Sequence, residues 1–110
     1  MKATDPRIKA ALEEMARQHV ERLTADGLAA QLGLSRSRFE HLFKQHTGTT
    51  FRHHLRETRL VKARRLLADP GLRVKEVASK RGYATTSDLT RAFRERFGLS
   101  PSRYRRSRFR

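Results

Sequence analysis

The 110-residue chain has no cysteine, few acidic residues and no long apolar run. The lack of cysteine excludes disulfide scaffolds, zinc sites with cysteine ligands and thiol catalysis. No apolar run approaches the roughly 20 residues that cross a membrane, and the N-terminus has no apolar core of a signal peptide. We therefore expect a cytoplasmic protein.

Positive charge is the dominant property of the chain. Lysine and arginine total 26 against 11 acidic residues, which gives a formal net charge of +15 and a pI near 11.6. Such an excess attracts a polyanion, with nucleic acid as the first candidate and an anionic membrane surface as the second. The membrane interpretation is disfavoured because the apolar residues have a core to fill. The length suits one domain or two very small ones.

Apolar residues recur at helical spacing in seven segments, and no convincing strand is found. Capping residues, prolines and glycines set the limits of these segments, so the predicted class is all-α. The predicted helices begin at Pro6 (capped by Asp5 or Thr4), after Thr24, after Ser35, at Phe51, at Val74, at a cap formed by Thr86 or Ser87, and at Pro101. The apolar positions of the first and sixth helices run to Ala16 and Phe97. The other predicted helices end near Gly33, Gly48, Ala68, Lys80 and Tyr104, and a basic tail from Arg103 to Arg110 is expected to fray.

One spacing occurs twice along the chain. An alanine lies four residues before a glycine, and a phenylalanine lies five residues before a second glycine. The pairs are Ala29 with Gly33 and Phe43 with Gly48 in the first copy, and Ala78 with Gly82 and Phe93 with Gly98 in the second. In a helix-turn-helix the small residue lets two helices cross closely, and glycine accepts the positive φ of the turn. The repeat therefore predicts two helix-turn-helix units.

The second copy departs from the first in two respects. Arg81 stands where the first copy has Leu32, and its turn is one residue longer between Gly82 and Phe93. A plain helical bundle whose helices end at glycines remains the alternative at this point.

The segment from Phe51 to Ala68 carries apolar residues on two different sides. Leu60 lies about 180° from Phe51 at 3.6 residues per turn. A helix packed on two sides is suited to joining two small subdomains. Its 18 residues span roughly 27 Å at 1.5 Å per residue. One turn of DNA is about 34 Å, so such a connector suits two reading helices in adjacent major grooves.

From about Ile8 to Arg105 the chain resembles the DNA-binding domain of the AraC/XylS family of bacterial transcription regulators. The segments that carry the resemblance are Leu28-Ala29-x-x-Leu32-Gly33-x-Ser35, Phe39-x-x-Leu42-Phe43-Lys44-x-x-Thr47-Gly48, Arg59-Leu60-x-x-Ala63-Arg64-x-Leu66-Leu67, Val77-Ala78-x-x-x-Gly82-Tyr83 and Phe93-Arg94-x-x-Phe97-Gly98-x-Ser100-Pro101-x-x-Tyr104-Arg105. One departure is Leu89, where the family often has an aromatic residue, and we expect Leu89 to fill the core in its place.

The resemblance implies seven helices, with the third and sixth as recognition helices and the fourth as connector. The implied layout is a first helix-turn-helix subdomain over 5–49, a connector over 50–68, a second subdomain over 72–106 and a basic tail over 107–110. Family members usually carry a sensing or dimerising domain as well. The chain is therefore either a short stand-alone regulator or the DNA-binding part of a longer one.

The implied function is sequence-specific binding of double-stranded DNA and regulation of transcription, most often activation through RNA polymerase. The domain is expected to be monomeric on DNA and associated with the bacterial nucleoid. The resemblance places base reading at Arg36, Ser37, Glu40, His41, Thr86, Ser87, Asp88 and Arg91. Arg91 is the strongest candidate because a guanidinium binds guanine O6 and N7 together. Glu40 and Asp88 suit the cytosine amino group, with a salt bridge or a solvated face as the alternative.

Phosphate contacts need cationic or hydroxyl side chains and helix N-termini beside the grooves. The candidates are Ser35, Arg38, Lys44, Thr49, Thr50, Arg52, Arg94 and Arg103, and a phosphate contact is also the alternative role of Arg91. Arg59 lies near the apolar side of the connector and is expected to be structural, paired with an acid such as Asp69 or Glu57.

Other functions find little support in the sequence. His41, His46, His53 and His54 lack the spacing and the third ligand of a zinc site. No glycine-framed nucleophile or phosphate loop is present, so we expect neither an enzyme nor a cofactor. The serious alternative is a basic protein that binds nucleic acid or compacts DNA without sequence preference.

Overall fold

A computed structural model of the chain describes residues 5–17 and 23–109. Within these ranges the chain forms seven α-helices and no strand, which confirms the all-α prediction. The helices are α1 (Pro6–Arg17), α2 (Ala25–Gln31), α3 (Arg36–Thr47), α4 (Phe51–Leu66), α5 (Val74–Lys80), α6 (Thr86–Phe97) and α7 (Pro101–Arg108). None of these seven is long and apolar enough to cross a membrane. Thr4, the alternative cap of the first helix, lies outside the described residues.

The chain divides into two compact units, residues 1–58 and 59–110. The first holds α1, α2, α3 and the first half of α4, and the second holds the remainder of α4 with α5, α6 and α7. Phe51 at the start of α4 is buried in the first core, whereas Leu60 and Ala63 are buried in the second. The helix ends at Leu66, two residues before the predicted end at Ala68, because residues 67 and 68 form a turn.

Three phenylalanines fill the centre of the first unit. Phe39, Phe43 and Phe51 pack with ring centroids 5.3 to 5.8 Å apart. His54 meets the edge of Phe43 at 5.4 Å, and its burial, together with the charge of His53, lowers the pKa of the His54 imidazole. A neutral imidazole is therefore favoured in this wall of the core.

The small residue and the glycine of each copy have the roles that the sequence predicts. Ala29 is 1% exposed and Ala78 is 2% exposed, so both lie in the packed contact between the helices of their unit. Gly33 has φ of +70° and Gly82 has φ of +81°, the left-handed conformation that glycine adopts without strain. Leu89 is fully buried, which confirms that it fills the second core.

Both differences between the second copy and the first are present in the structure. The cap of α3 lies two residues after Gly33, and the cap of α6 lies three residues after Gly82, so the second turn is one residue longer. Arg81 caps the C-terminal end of α5 and is half-buried. Its Nε is buried and has no hydrogen-bond partner among the described residues.

Hydroxyl side chains begin most of the helices. Thr24, Ser35 and Ser100 accept a hydrogen bond from the amide three residues on, at 3.0 to 3.2 Å, and Thr50 does the same for His53 at 3.1 Å. The prediction that Thr86 or Ser87 caps the sixth helix is wrong. Thr85 is the cap, since its extended backbone lets Oγ1 accept from the Asp88 amide at 3.0 Å.

The last helix is longer than predicted. It continues past Tyr104 to Arg108, and Arg105 donates from Nε to the Leu67 carbonyl at 3.2 Å and from its terminal nitrogen to the Asp69 carbonyl at 3.3 Å. These carbonyls follow the end of α4, where helical partners run out. The expected fraying of the tail from Arg103 is therefore wrong for the described residues, because a guanidinium satisfies distant carbonyls.

The expected partner of Arg59 is also wrong. Its guanidinium lies over the ring of Tyr83 at 5.6 Å, and within the described ranges it has no carboxylate partner. The positive guanidinium is attracted to the negative face of the aromatic ring, so the half-buried side chain gains a cation–π interaction there. Asp69 instead accepts from the Gly71 amide at 2.8 Å in the turn after α4.

We expect Arg105→Met to destabilise the chain by about 1–2 kcal/mol, because two carbonyls lose a charged donor while the side-chain volume is kept. Urea denaturation followed by circular dichroism measures the change. Arg106→Met is the matched control, since Arg106 is exposed on the same helix. Equal losses in both variants would contradict the role of Arg105.

Thr85→Ala and Thr86→Ala test the corrected start of α6. Thr85→Ala removes the cap and is expected to cost about 1 kcal/mol of stability. Thr86→Ala changes the first helical residue and leaves thermal stability nearly unchanged. If Thr86→Ala lowered thermal stability more than Thr85→Ala does, Thr86 would be the cap, as the sequence predicted.

Candidate nucleic-acid interface

The helices α3 and α6 have the same layout fifty residues apart. Their caps are Ser35 and Thr85, and their left-handed terminal glycines are Gly48 and Gly98. The buried positions coincide too, since Phe39 and Phe43 correspond to Leu89 and Phe93. The two helices therefore offer matching exposed positions, most of which carry different side chains.

The exposed face of α3 borders an open groove of about 1150 Å³ within the first unit. Its apolar floor is formed by Leu23, Phe51 and Leu55. The polar side chains around it are Thr24, Arg36, Ser37, Glu40, His41, Lys44, Gln45, Thr50 and Arg52. The structure thus brings together all four predicted base readers of α3 with three predicted phosphate contacts. Ser35, Arg38 and Thr49 lie outside this groove.

The exposed face of α6 borders a shallower hollow of about 430 Å³ in the second unit. Thr86, Ser87, Thr90, Arg91, Arg94 and Glu95 line it. Asp88 is half-buried and lies outside the hollow, and Arg103 lies exposed on α7 beside a separate hollow.

Thr90 and Gln45 are exposed-face residues that the sequence reasoning did not select. Thr90 lies fifty residues after Glu40, so applying the register of the repeat to the predicted sites identifies it. Gln45 lies one turn after His41 on the face of α3, and helical spacing alone identifies it.

Both predicted cytosine readers are in ion pairs. Glu40 Oε1 accepts from Arg36 Nε at 2.9 Å, and Arg36 also lies 3.6 Å from a carboxylate oxygen of Asp26. On α6, Asp88 Oδ1 accepts from a terminal nitrogen of Arg91 at 2.7 Å. The salt bridge that the sequence left open as an alternative is present for each acid. These pairs are exposed and therefore weak, so DNA groups can replace them.

The hydrogen bond to Glu40 is the main cause that raises the pKa of the Arg36 guanidinium, and the charges of Asp26 and Glu40 add to it. The remaining predicted cations, Arg38, Lys44, Arg52, Arg94 and Arg103, are exposed.

The hydroxyl candidates for phosphate contact differ in accessibility. Ser35 and Thr50 are exposed, and each uses its oxygen as acceptor for a helix amide. A hydroxyl that accepts still carries a proton to donate, so both retain a donor for phosphate. Thr49 is half-buried, and its backbone amide and carbonyl both bond the Thr47 hydroxyl.

Histidine and acidic side chains do not gather into a metal site in the described part of the chain. His46 Nδ1 accepts from the Asp5 amide at 3.4 Å, which ties α3 to the start of α1. Asp5 itself bonds Arg7, and this contact lowers the pKa of the Asp5 carboxyl to about 2.

Comparison with known proteins identifies the fold and the family. A family model described as a helix-turn-helix domain matches residues 28–107. The crystal structure of a transcriptional regulator of the AraC-type DNA-binding domain-containing proteins, from Chromobacterium violaceum, is 29% identical with a TM-score of 0.84. The match covers 94% of this chain and 92% of that chain. The chain belongs to the AraC/XylS family.

Two other relatives bear on function. The HTH-type transcriptional activator RhaS of Escherichia fergusonii is 32% identical over 105 residues, which are 96% of this chain and 38% of that protein. The DNA-binding domain of AdpA, a global transcriptional factor, was crystallised with a target DNA; it is 31% identical, covers 94% of this chain and 92% of its own, and has a TM-score of 0.80.

The chain spans 31% to 38% of the length of three curated relatives that it matches. The matched part is the DNA-binding domain of transcription regulators, and the AraC/XylS family is not one of enzymes.

Proposed function

We propose that this AraC/XylS domain binds double-stranded DNA at a specific sequence, with α3 and α6 in adjacent major-groove segments, and that it regulates transcription. The observation that carries the proposal is the matched layout of α3 and α6, whose exposed positions coincide while most of their side chains differ. The complex of the AdpA domain with its target DNA supports the choice of ligand.

On α6 the proposed reader is Arg91, which is exposed and lies six residues before Phe97, the last residue of the helix. Its guanidinium matches guanine O6 and N7, and Asp88 holds one of its nitrogens. Thr86 and Ser87 supply further hydroxyl donors and acceptors in the first turn.

On α3 the proposed readers are Ser37, Glu40 and His41, all exposed on the wall of the groove. His41 donates to a purine acceptor, and Glu40 accepts from a cytosine amino group. Because Arg36, Glu40 and His41 align with Thr86, Thr90 and Arg91, the two half-sites differ too, and a single domain binds with a defined direction. A symmetric dimer is then not needed for reading.

Phosphates are held by the cations and hydroxyls that surround these faces: Ser35, Arg38, Lys44, Thr49, Thr50, Arg52, Arg94 and Arg103. We propose α4 as the connector of the two reading units, which agrees with its unbroken helix from Phe51 to Leu66. Affinity should fall with salt by about 0.9 log units for each phosphate contact per log unit of salt.

Activation of transcription, with RNA polymerase as second partner, is the favoured direction of regulation. The relative RhaS is named a transcriptional activator. The proposed location is the bacterial cytoplasm, on the nucleoid.

Selection of bound duplexes from a random pool tests the proposed function directly. We expect a bipartite motif whose two halves differ and lie about 10 base pairs apart, because successive major grooves recur on one face at that interval. Sequencing of the bound fraction gives the motif. A flat profile with tight, salt-sensitive binding would establish the alternative, a basic protein without sequence preference.

Arg91→Ala and Arg94→Ala separate base reading from phosphate binding on one helix. Arg91→Ala should cost about 1–3 kcal/mol on the selected duplex and relax preference at one base pair. Arg94→Ala should weaken binding equally on all duplexes and reduce the salt slope by about 1. Titrations of single-base variants at several salt concentrations measure both. An equal loss on every sequence for Arg91→Ala would make Arg91 a phosphate contact.

A further inference from the structure

Arg36 is held by carboxylates from two helices. Its Nε donates to Glu40 on the next turn of α3 at 2.9 Å, and a terminal nitrogen lies 3.6 Å from Asp26 at the start of α2. This cluster, which we call the Asp26–Arg36–Glu40 triad, lies at the wall of the groove beside α3, where Arg36 and Glu40 are lining residues.

The charges at the start of α3 explain why Arg36 recruits these acids. The first turn of α3 contains Arg36 and Arg38 and no acidic residue. The N-terminal end of a helix dipole repels cations, so an uncompensated arginine there is unfavourable. Asp26 and Glu40 supply the compensation, and Asp26 lies in the first turn of α2, where the helix dipole favours an anion.

Glu40 in turn needs a cation if it is to approach DNA. A lone carboxylate is repelled by phosphates, and the pairing with Arg36 offsets its charge. Arg36 occupies Oε1 of Glu40, and that side chain remains 46% exposed. The second carboxylate oxygen is therefore available to accept a hydrogen bond.

We propose that Arg36 is a positioning residue and not a base reader: Asp26 anchors it, and it directs Glu40 to accept a hydrogen bond from a cytosine amino group. This inference rests on the proposed function and names a specificity element of the same interface. An oxygen of aspartate or glutamate is the usual acceptor for the cytosine amino group in the major groove.

The aligned positions of the second unit do not carry such a cluster. The positions of Arg36 and Glu40 correspond to Thr86 and Thr90, and the residue two after the cap of the preceding helix is Lys75, not an acid. The triad should therefore impose a preference for cytosine in the half-site that α3 binds, and not in the half-site that α6 binds.

Competition titrations on duplexes that differ at one base pair test the triad. Asp26→Asn should weaken the preference for cytosine at a single position by about threefold to fivefold, the size that an exposed ion pair supports. Glu40→Ala should remove the preference at that same position. Asp26→Glu keeps the charge and should retain the preference.

Glu13→Gln is the matched control for charge. Glu13 is exposed on α1 in the same unit, and its change also removes one negative charge. Both neutral variants should bind all duplexes somewhat more tightly, but only Asp26→Asn should alter the ratio between duplexes. Thermal melts of each variant confirm that the fold is retained.

Three results would overturn the triad. If Asp26→Asn leaves every base ratio unchanged while the parent chain keeps its motif, the positioning role fails and the proposed function stands. If Asp26→Asn sharpens a guanine preference, Arg36 is itself a reader that the acids restrain. If the parent chain shows no preference at any position, both the triad and the specific function fail.

Discussion

Each unit depends on one constraint: a short helix must pack closely against a longer one at a buried alanine. The helices α2 and α5 have seven residues each, too few to be stable in isolation. They persist because Ala29 and Ala78 let them pack against α3 and α6, and because the glycines after them turn the chain at positive φ. The aromatic clusters around Phe43 and Phe93 then hold the exposed faces of α3 and α6 in place.

Because the buried positions repeat in both units, the exposed positions can differ without changing the fold. The buried register is shared at an interval of fifty residues, whereas the exposed residues bear different charges. In α3 the first turn is cationic and draws its counter-charges from the next turn and from α2, whereas the first turn of α6 carries its own acid, Asp88. The exposed faces of α3 and α6 therefore differ in charge as well as in side-chain type, although the buried cores of the two units are similar.

Local patterns predicted most of the fold, and contacts distant in sequence account for what was missed. Five helix starts follow from caps or prolines, and the start at Val74 follows from apolar spacing alone. Thr85 and Thr86 are both capable caps, and only the register of Leu89 and Phe93 decides between them. The end of α7 depends on Arg105 meeting carbonyls 36 and 38 residues away, and no periodicity encodes that. For the interface, helical spacing predicted the exposed faces, whereas the pairing of Arg36 with Asp26 is tertiary and had no signal in the sequence.

Under the proposed function, the hydroxyl groups of Ser35 and Thr50 each cap a helix and also contact a phosphate. The oxygen accepts a hydrogen bond from a helix amide, and the hydroxyl proton remains available to donate to an anion. Aspartate caps a helix as well as serine does, but it brings a negative charge and no proton to the same spot. If Ser35 contacts a phosphate as proposed, Ser35→Asp keeps the helix cap but places a negative charge beside that phosphate, so folding and DNA affinity would separate at this one residue.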